Sequence, residues 1–215
     1  MNRPTTTNRR HKGTSINTGK FRNLPVYTEI LDTFHGQISA LLTYHSRITI
    51  MRFDLHLPNM NFYTANEGNL VVSAFFKSIK EHLGRKRWKQ HKHVIYGWTR
   101  EVDENPNGHY HCFIGFKALY RHLGEISSNG CTGLWALIES CWKQTSTGHM
   151  EAITHHLVNR ADPKSFDKAF FQISYLAKAK YKEFGTGETH KRYSASRLRR
   201  NQVHTLEIEF DFLAA

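Results

Sequence analysis

His109-Tyr110-His111 is the run of this chain with the clearest chemical potential. It lies within residues 108–116 (GHYHCFIGF), which read as a strand. Successive strand side chains point to opposite faces, so His109 and His111 share one face and Tyr110 takes the other. Two imidazoles side by side on a stiff strand can hold one divalent metal ion. A second pair stands later in the chain, in Tyr175-Leu176-Ala177-Lys178. Positions i and i+3 of a helix share a face, so the phenol and the ammonium point the same way. A phenol with a pKa of about 10 is a poor nucleophile at neutral pH. A neighbouring cation and a metal-bound phosphate lower that barrier. Each motif alone is also what ordinary packed or solvated side chains look like; their combination carries the weight.

The elements that must position these groups follow from hydrophobic pattern. Residues 26–44 place Ile30, Leu31, Phe34, Ile38, Leu41 and Leu42 at helical spacing. Residues 47–57 (RITIMRFDLHL) alternate as a strand, with Arg52, Asp54 and His56 on the face opposite Met51, Phe53 and Leu55. Residues 70–90 predict a second helix, with Val71, Phe75, Ile79 and Leu83 inward. Its far end, with Arg85, Lys86, Arg87 and Lys89, is either a phosphate-facing patch or a set of cations suited to a helix C-terminus. Residues 93–102 predict a strand, and Asn105-Pro106-Asn107-Gly108 a turn that makes a hairpin with the histidine strand. A helix over 134–142, a strand over 151–159, a helix from Ser165 to about Tyr181 and a last strand over 203–213 complete the reading. The middle order, strand–helix–strand–strand–helix–strand, predicts an α+β fold: a split βαβ (ferredoxin/RRM-like) antiparallel sheet with helices on one face and the other face open. Strand 47–57 should then neighbour the histidine strand.

A third metal ligand depends on the hairpin's register. Facing residues in an antiparallel pair share a sheet face. A loop over 104–108 sets Asp103 opposite His109 and Glu101 opposite His111. A loop over 105–108 sets Glu104 opposite His109 instead, since a one-residue slip exchanges the candidates. His155-His156 and His91-Lys92-His93 lack a partner at a ligand spacing, and Trp98, Trp135 and Trp142 read as core.

The chain's 215 residues suit one domain, expected over 24–200, after a disordered basic arm (1–23) and before a C-terminal strand or tail (201–215). Thirty Lys and Arg oppose 18 Asp and Glu, a net charge of +12. Such a field attracts polyanions, nucleic acid first. No apolar run reaches membrane-span length and no signal peptide opens the chain, so a cytoplasmic, membrane-free protein is expected. Three cysteines without a CxxC spacing fit reduced thiols.

Together these features resemble the HUH endonucleases, the rolling-circle replication initiators and relaxases, whose motifs are a histidine–hydrophobic–histidine strand and a later tyrosine helix. The chain is more closely similar to the YagK/YfjJ C-terminal-domain family of inoviruses and prophages. The residues that carry this likeness are Arg52-Phe53-Asp54-Leu55-His56-Leu57-Pro58, Trp98-Thr99-Arg100-Glu101, His109-Tyr110-His111-Cys112 and Ser174-Tyr175-Leu176-Ala177-Lys178. The HUH resemblance implies a metal-dependent nickase and religase of single-stranded DNA that acts at a replication origin. Mg²⁺ or Mn²⁺ would sit on His109, His111 and a third ligand; the Trp-x-Arg-Glu likeness favours Glu101. Tyr175 would form a 5′-phosphotyrosine bond, and Lys178 would steady it. Arg52, Asp54 and His56 would touch DNA or support the metal, and Lys86 and Arg87 would hold DNA phosphates. A single-tyrosine transposase and a non-cutting origin- or operator-binding protein are the alternatives. With no helicase motif in the chain, unwinding and synthesis would fall to a bacterial host's helicase and polymerase.

Overall fold

A computed structural model describes residues 3–58, 63–101, 109–128, 130–180, 182 and 191–202. Its centre is a five-stranded antiparallel sheet. The strands are β1 (Arg47–His56), β2 (Val94–Glu101), β3 (His109–Lys117), β4 (His149–Asn159) and β5 (Tyr193–Ala195). Their spatial order is β4-β1-β3-β2-β5, so the histidine strand lies between β1 and β2, as the split βαβ pattern requires. The helices are α1 (Thr28–Tyr44), α2 (Ala65–Leu83), α3 (Gly133–Ser146) and α4 (Pro163–Ser174).

Alternation in the strands builds two cores rather than one. Met51, Phe53 and Leu55 of β1, Trp98 of β2 and Tyr110, Cys112, Ile114 and Phe116 of β3 pack with α2 and α3. Ile48, Ile50, Ile95 and Phe113 point the other way and pack with α1 and α4. The expectation of helices on one face and an open second face is therefore corrected. The apolar stripes of α1 and α4 have to be buried, and the only apolar surface left for them is the rear of the sheet. That rear face stays polar only at one end, where Arg52, Asp54, Glu101, His109 and His111 replace the aliphatics. Trp98, Trp135 and Trp142 are core, as expected.

Close approach fixes two glycines. A Cβ on Gly97 would stand 2.4 Å from the Phe113 ring and 2.7 Å from that of Phe34. A Cβ on Gly68 would stand 2.6 Å from the Tyr110 hydroxyl, which donates to Asn69 Oδ1 at 3.1 Å. Tyr110 thus ties the histidine strand to α2 from the face opposite the imidazoles.

Several boundaries differ from the sequence reading. Helix α2 begins at Ala65 because Thr64 and Glu67 form a reciprocal capping box. It ends at Leu83, and Lys86–Trp88 is a separate 3₁₀ turn. Helix α4 is capped by Asp162, whose side chain accepts from Lys164 N–H at 3.1 Å, with Pro163 as its first residue. It stops at Ser174, and Tyr175–Ala177 continues as a 3₁₀ turn. There Lys178 pairs with Val26 as an isolated bridge and Ala179 N–H donates to the Pro25 carbonyl at 2.8 Å, so the backbone is drawn out of the helix.

The basic N-terminal segment is packed, not disordered. Thr5–Thr6 pairs with Val26–Tyr27, and Arg10–His11 with Thr14–Ser15. Ile16 is buried, Ser15 N–H donates to Asp167 at 2.6 Å, and Asn17 N–H donates to Ser174 Oγ at 2.8 Å. The segment carries few apolar residues, but Asp32, Asp167 and Ser174 supply its polar partners. The expected turn at 105–108 and the expected last strand over 203–213 lie outside the described residues. β5, which the sequence reading omitted, edges the sheet beside β2.

Candidate active site

The site forms where β1, β2 and β3 end together. Cα register pairs Glu101 with His109, Thr99 with His111, Asp54 with His111 and His56 with His109. The hairpin's register therefore differs from both sequence alternatives: Glu101 faces His109 directly, and residues 102–108, Asp103 and Glu104 among them, lie outside the described residues. His109 Nε2 and His111 Nε2 are 3.2 Å apart, and a Glu101 carboxylate oxygen is 3.2 Å from His111 Nε2. Among the described residues these three are the group whose possible ligand atoms all fall within 4.8 Å of one another. With metal–nitrogen bonds of about 2.1 Å, two ligands of one ion stand about 3.0–3.4 Å apart, which the imidazole pair meets.

Supporting contacts hold the imidazoles. His111 Nδ1 and Asp54 Oδ1 approach to 2.8 Å, though neither atom makes a hydrogen bond of good angular geometry. A carboxylate at the second nitrogen of a ligating histidine fixes the ring and raises its basicity. His56 stacks on His149 with centroids 4.2 Å apart, and on His109 at 5.3 Å. Burial, then the neighbouring rings of His149 and His109, hold His56 down to about 4, so the His56 ring is neutral at pH 7. His56 Nε2 and Thr99 Oγ1 are buried without a hydrogen-bond partner among the described residues. Such orphaned polar atoms beside a triad of ligating types leave room for a water or an ion to satisfy them.

Tyr175 joins this cluster through Lys178. In a 3₁₀ turn, residues i and i+3 eclipse one another, and Lys178 Nζ donates to Tyr175 Oη at 3.2 Å. The same ammonium lies 2.8 Å from Glu101 Oε2. The Tyr175 ring stands 6.3 Å from that of His111, centroid to centroid, and the Arg52 guanidinium covers it at 5.3 Å. A continuous line of contacts thus runs from the tyrosine hydroxyl through Lys178 and Glu101 to His111. Burial lowers the Lys178 pKa, but Glu101 outweighs it and the net value is raised, so the ammonium stays charged.

One functional neighbour was missed by sequence reasoning. Lys182 is fully buried and donates to Glu101 Oε1. Burial draws its pKa down to about 8 against the lift from Glu101. Burial also pushes the Glu101 carboxyl up, yet His111, Lys182 and Lys178 hold it well below the usual carboxylate range. Both Glu101 oxygens therefore already serve ammonium groups. The signal in sequence was Lys182's place seven residues after Tyr175 in a basic run, which by itself looks like solvated surface.

Of the remaining residues singled out, Arg52, Asp54 and His56 join the site, and His56 is half-buried. Arg52 and Asp54 are buried. Lys86 and Arg87 are not at the site. They sit beyond the start of β2, while Glu101 closes its other end. Tyr181 lies outside the described residues.

The fold and site define an α+β domain with a His-x-His strand, a buried carboxylate beside it and a tyrosine linked to both. The family model of the YagK/YfjJ C-terminal domain matches residues 6–193, and the chain belongs to that family. Membership points to a phage- or prophage-related protein and, with the Glu101–His109–His111 group, is compatible with a metal-dependent nuclease. Searches of curated proteins and of solved structures gave no significant match. Among the described residues no helix is long and apolar enough to cross a membrane.

Proposed function

We propose that this protein is a metal-dependent nickase and religase of single-stranded DNA that starts rolling-circle replication of a phage or prophage replicon. The observation that carries the reading is the line of contacts from Tyr175 to the histidine pair: 3.2 Å from hydroxyl to Lys178, 2.8 Å from Lys178 to Glu101, and 3.2 Å from Glu101 to His111. Two short motifs, the second beginning 64 positions after the first ends (from His111 to Tyr175), converge on one spot.

In this reading Tyr175 Oη attacks the scissile phosphorus and its proton leaves to water. The P–O3′ bond breaks, and the 3′ oxygen takes a proton to become a free hydroxyl. The 5′ phosphate is left on the tyrosine, and attack by a 3′-hydroxyl reverses the step. Lys178 donates to the phenolic oxygen, which holds it in place, and its ammonium can steady charge on the phosphate. Arg52 holds the ring in place. His109, His111 and Glu101 would hold Mg²⁺ or Mn²⁺; imidazole nitrogens suit Mn²⁺ at least as well as Mg²⁺. When bound, the ion polarises the phosphate as a Lewis acid.

The test is incubation with labelled single-stranded DNA from the protein's own replicon and Mn²⁺, read on a denaturing gel. A covalent protein–DNA band is expected. Tyr175→Phe and His109→Ala should each reduce it by roughly 1000-fold or more, because one removes the nucleophile and the other a ligand. Binding without an adduct on any replicon strand refutes the nickase. It would favour the second reading, a non-cutting DNA-binding protein. The observation on that side is the engagement of both Glu101 oxygens by lysines, as in a purely structural ion-pair cluster.

A further inference from the structure

A basic surface lies at the end of the sheet away from Tyr175. Arg85, Lys86, Arg87 and Lys89 leave the C-terminus of α2 and its following 3₁₀ turn, and all are exposed. Tyr120 pins this turn to the sheet: its hydroxyl donates to the Trp88 carbonyl at 2.8 Å and lies 3.1 Å from His91 Nε2. Lys92, before β2, and Lys117, the last residue of β3, are exposed at the same end. None of these six cations makes a salt bridge with a described acid. His45 and His91 at this end are kept neutral. Burial first, then His93, Lys117 and Arg160, holds His45 down to about 4.

Six cations from three segments that make no salt bridge among the described residues are not explained by a helix C-terminus, which rewards charge only within its last turn. They are also poorly suited to gripping bases. The aromatic rings of this end are packed on one another: Tyr44 on His93 at 4.0 Å and Trp88 against Tyr120 at 6.4 Å. A single strand is held by open ring faces on which its bases stack. What remains to be recognised is phosphate, and duplex DNA presents it most densely, about one charge per 1.7 Å.

We propose that the Arg85–Lys89 turn, with Lys92 and Lys117, is a separate binding surface for double-stranded DNA. The inference rests on the nickase reading only for its role, which is to hold the duplex that flanks the strand being cut. β2 runs from this surface to Glu101, and from Val94 to Glu101 is about 24 Å at about 3.4 Å per residue. That is the length of about seven base pairs at about 3.4 Å each. A protein with a duplex grip at one end and a tyrosine at the other is suited to a junction between duplex and single strand.

The experiment measures fluorescence anisotropy of the full chain on a labelled 20-base-pair duplex and on a single strand of equal length, over a range of NaCl. The variants are Arg85→Glu/Lys86→Glu/Arg87→Glu/Lys89→Glu and, on different segments, Lys92→Glu/Lys117→Glu. Mn²⁺ binding at the histidine pair and the melting curve serve as checks on the fold. The expected result is a loss of duplex affinity of tenfold or more in each variant. The fourfold variant should also lower the slope of log K against log salt by about 3–4, about one for each phosphate contact removed. Single-strand affinity should fall much less. The proposal is overturned if the wild type does not bind duplex, if both variants bind it as the wild type does, or if duplex and single-strand affinity fall together. Duplex binding through this surface by a protein that forms no tyrosine adduct would sink the nickase reading and leave the surface standing.

Discussion

Glu101→Gln should cost far more stability than a surface carboxylate would. Glu101 is 1% exposed and its partner Lys182 is 0% exposed. Lys178 shares the same carboxylate, and its side chain is 11% exposed. Neutralising Glu101 leaves an ammonium in the interior without a counter-charge. Removing one partner of a buried pair typically costs about 3–5 kcal/mol. Against a usual total of about 5–15 kcal/mol, that is about a fifth of the fold's stability or more. For a chain of this length, each kcal/mol moves the melting temperature by about 2–4 °C, so a fall of roughly 10 °C is expected. Adding Lys182→Met removes the stranded charge while keeping a similar side-chain volume. The double variant should recover most of the loss, because a buried pair replaced by apolar groups is often neutral. Urea and thermal unfolding of wild type, both single variants and the double complete the cycle. A coupling of at least about 2 kcal/mol is expected between the two positions. A Gln variant within about 0.5 kcal/mol of wild type, or a double variant no better than the single, would falsify the view of Glu101 as the counter-ion of Lys182.

Two further perturbations test the packing around the site. His35 lies between α1 and α4, against Phe166 and Phe170, and burial, then the charges of Lys12 and His11, lower its pKa to about 4 from 6.5. Above pH 6.5 both folded and unfolded states carry the neutral ring; as pH falls from 6.5 to 4 only the unfolded state takes the proton, so stability drops by up to about 3 kcal/mol. Denaturant midpoints measured across that window should show a flatter acid limb in His35→Gln than in wild type, and parallel limbs would refute the assignment. Gly97→Ala forces a methyl into the Phe34–Phe113 pair, whose rings meet edge to face at 5.0 Å, and should destabilise by about 1–3 kcal/mol in the same assay.

The sheet was legible because each of its central strands carries a period-2 pattern strong enough to survive without neighbours. Residues 47–57 alternate through Met51, Phe53 and Leu55, and that parity alone sends Arg52, Asp54 and His56 to the face of His109 and His111. The helices' placement was less legible. The stripe on α1 says that it must be buried, not on which side of the sheet. The hairpin register failed for a different reason: an Asn-Pro-Asn-Gly signal fixes where a turn is favoured but not how many residues precede it before pairing resumes. Tyr175 and Lys178 were placed on an α-helix, where i and i+3 lie about 60° apart around the axis. The 3₁₀ turn aligns them more closely, and it arises from the bridge to Val26, a contact across roughly 150 residues that no local pattern encodes. Lys182 was invisible for the same reason, since its burial is a property of what folds over it.

The arrangement around Glu101 also bears on how the two motifs work together. His109 and His111 ride on a central strand fixed from both sides, whereas Tyr175 rides on a short turn between α4 and the bridge at Val26. Glu101 is the residue that touches both, through His111 on one side and Lys178 on the other. A carboxylate has two oxygens, and here each already faces an ammonium. A cation held beside the imidazoles would meet Glu101 Oε1, the oxygen that faces both His111 and Lys182, and would draw the carboxylate's charge away from the two ammonium groups. Lys182 has no exposed surface to retreat to, whereas Lys178 is partly exposed and bonded to Tyr175. The lower cost lies in loosening Lys178, because its charge can turn toward solvent and toward the tyrosine oxygen. Under the proposed nickase reading, an ion on the histidine pair would thus weaken the Lys178–Glu101 contact first and leave the ammonium bonded to Tyr175 Oη.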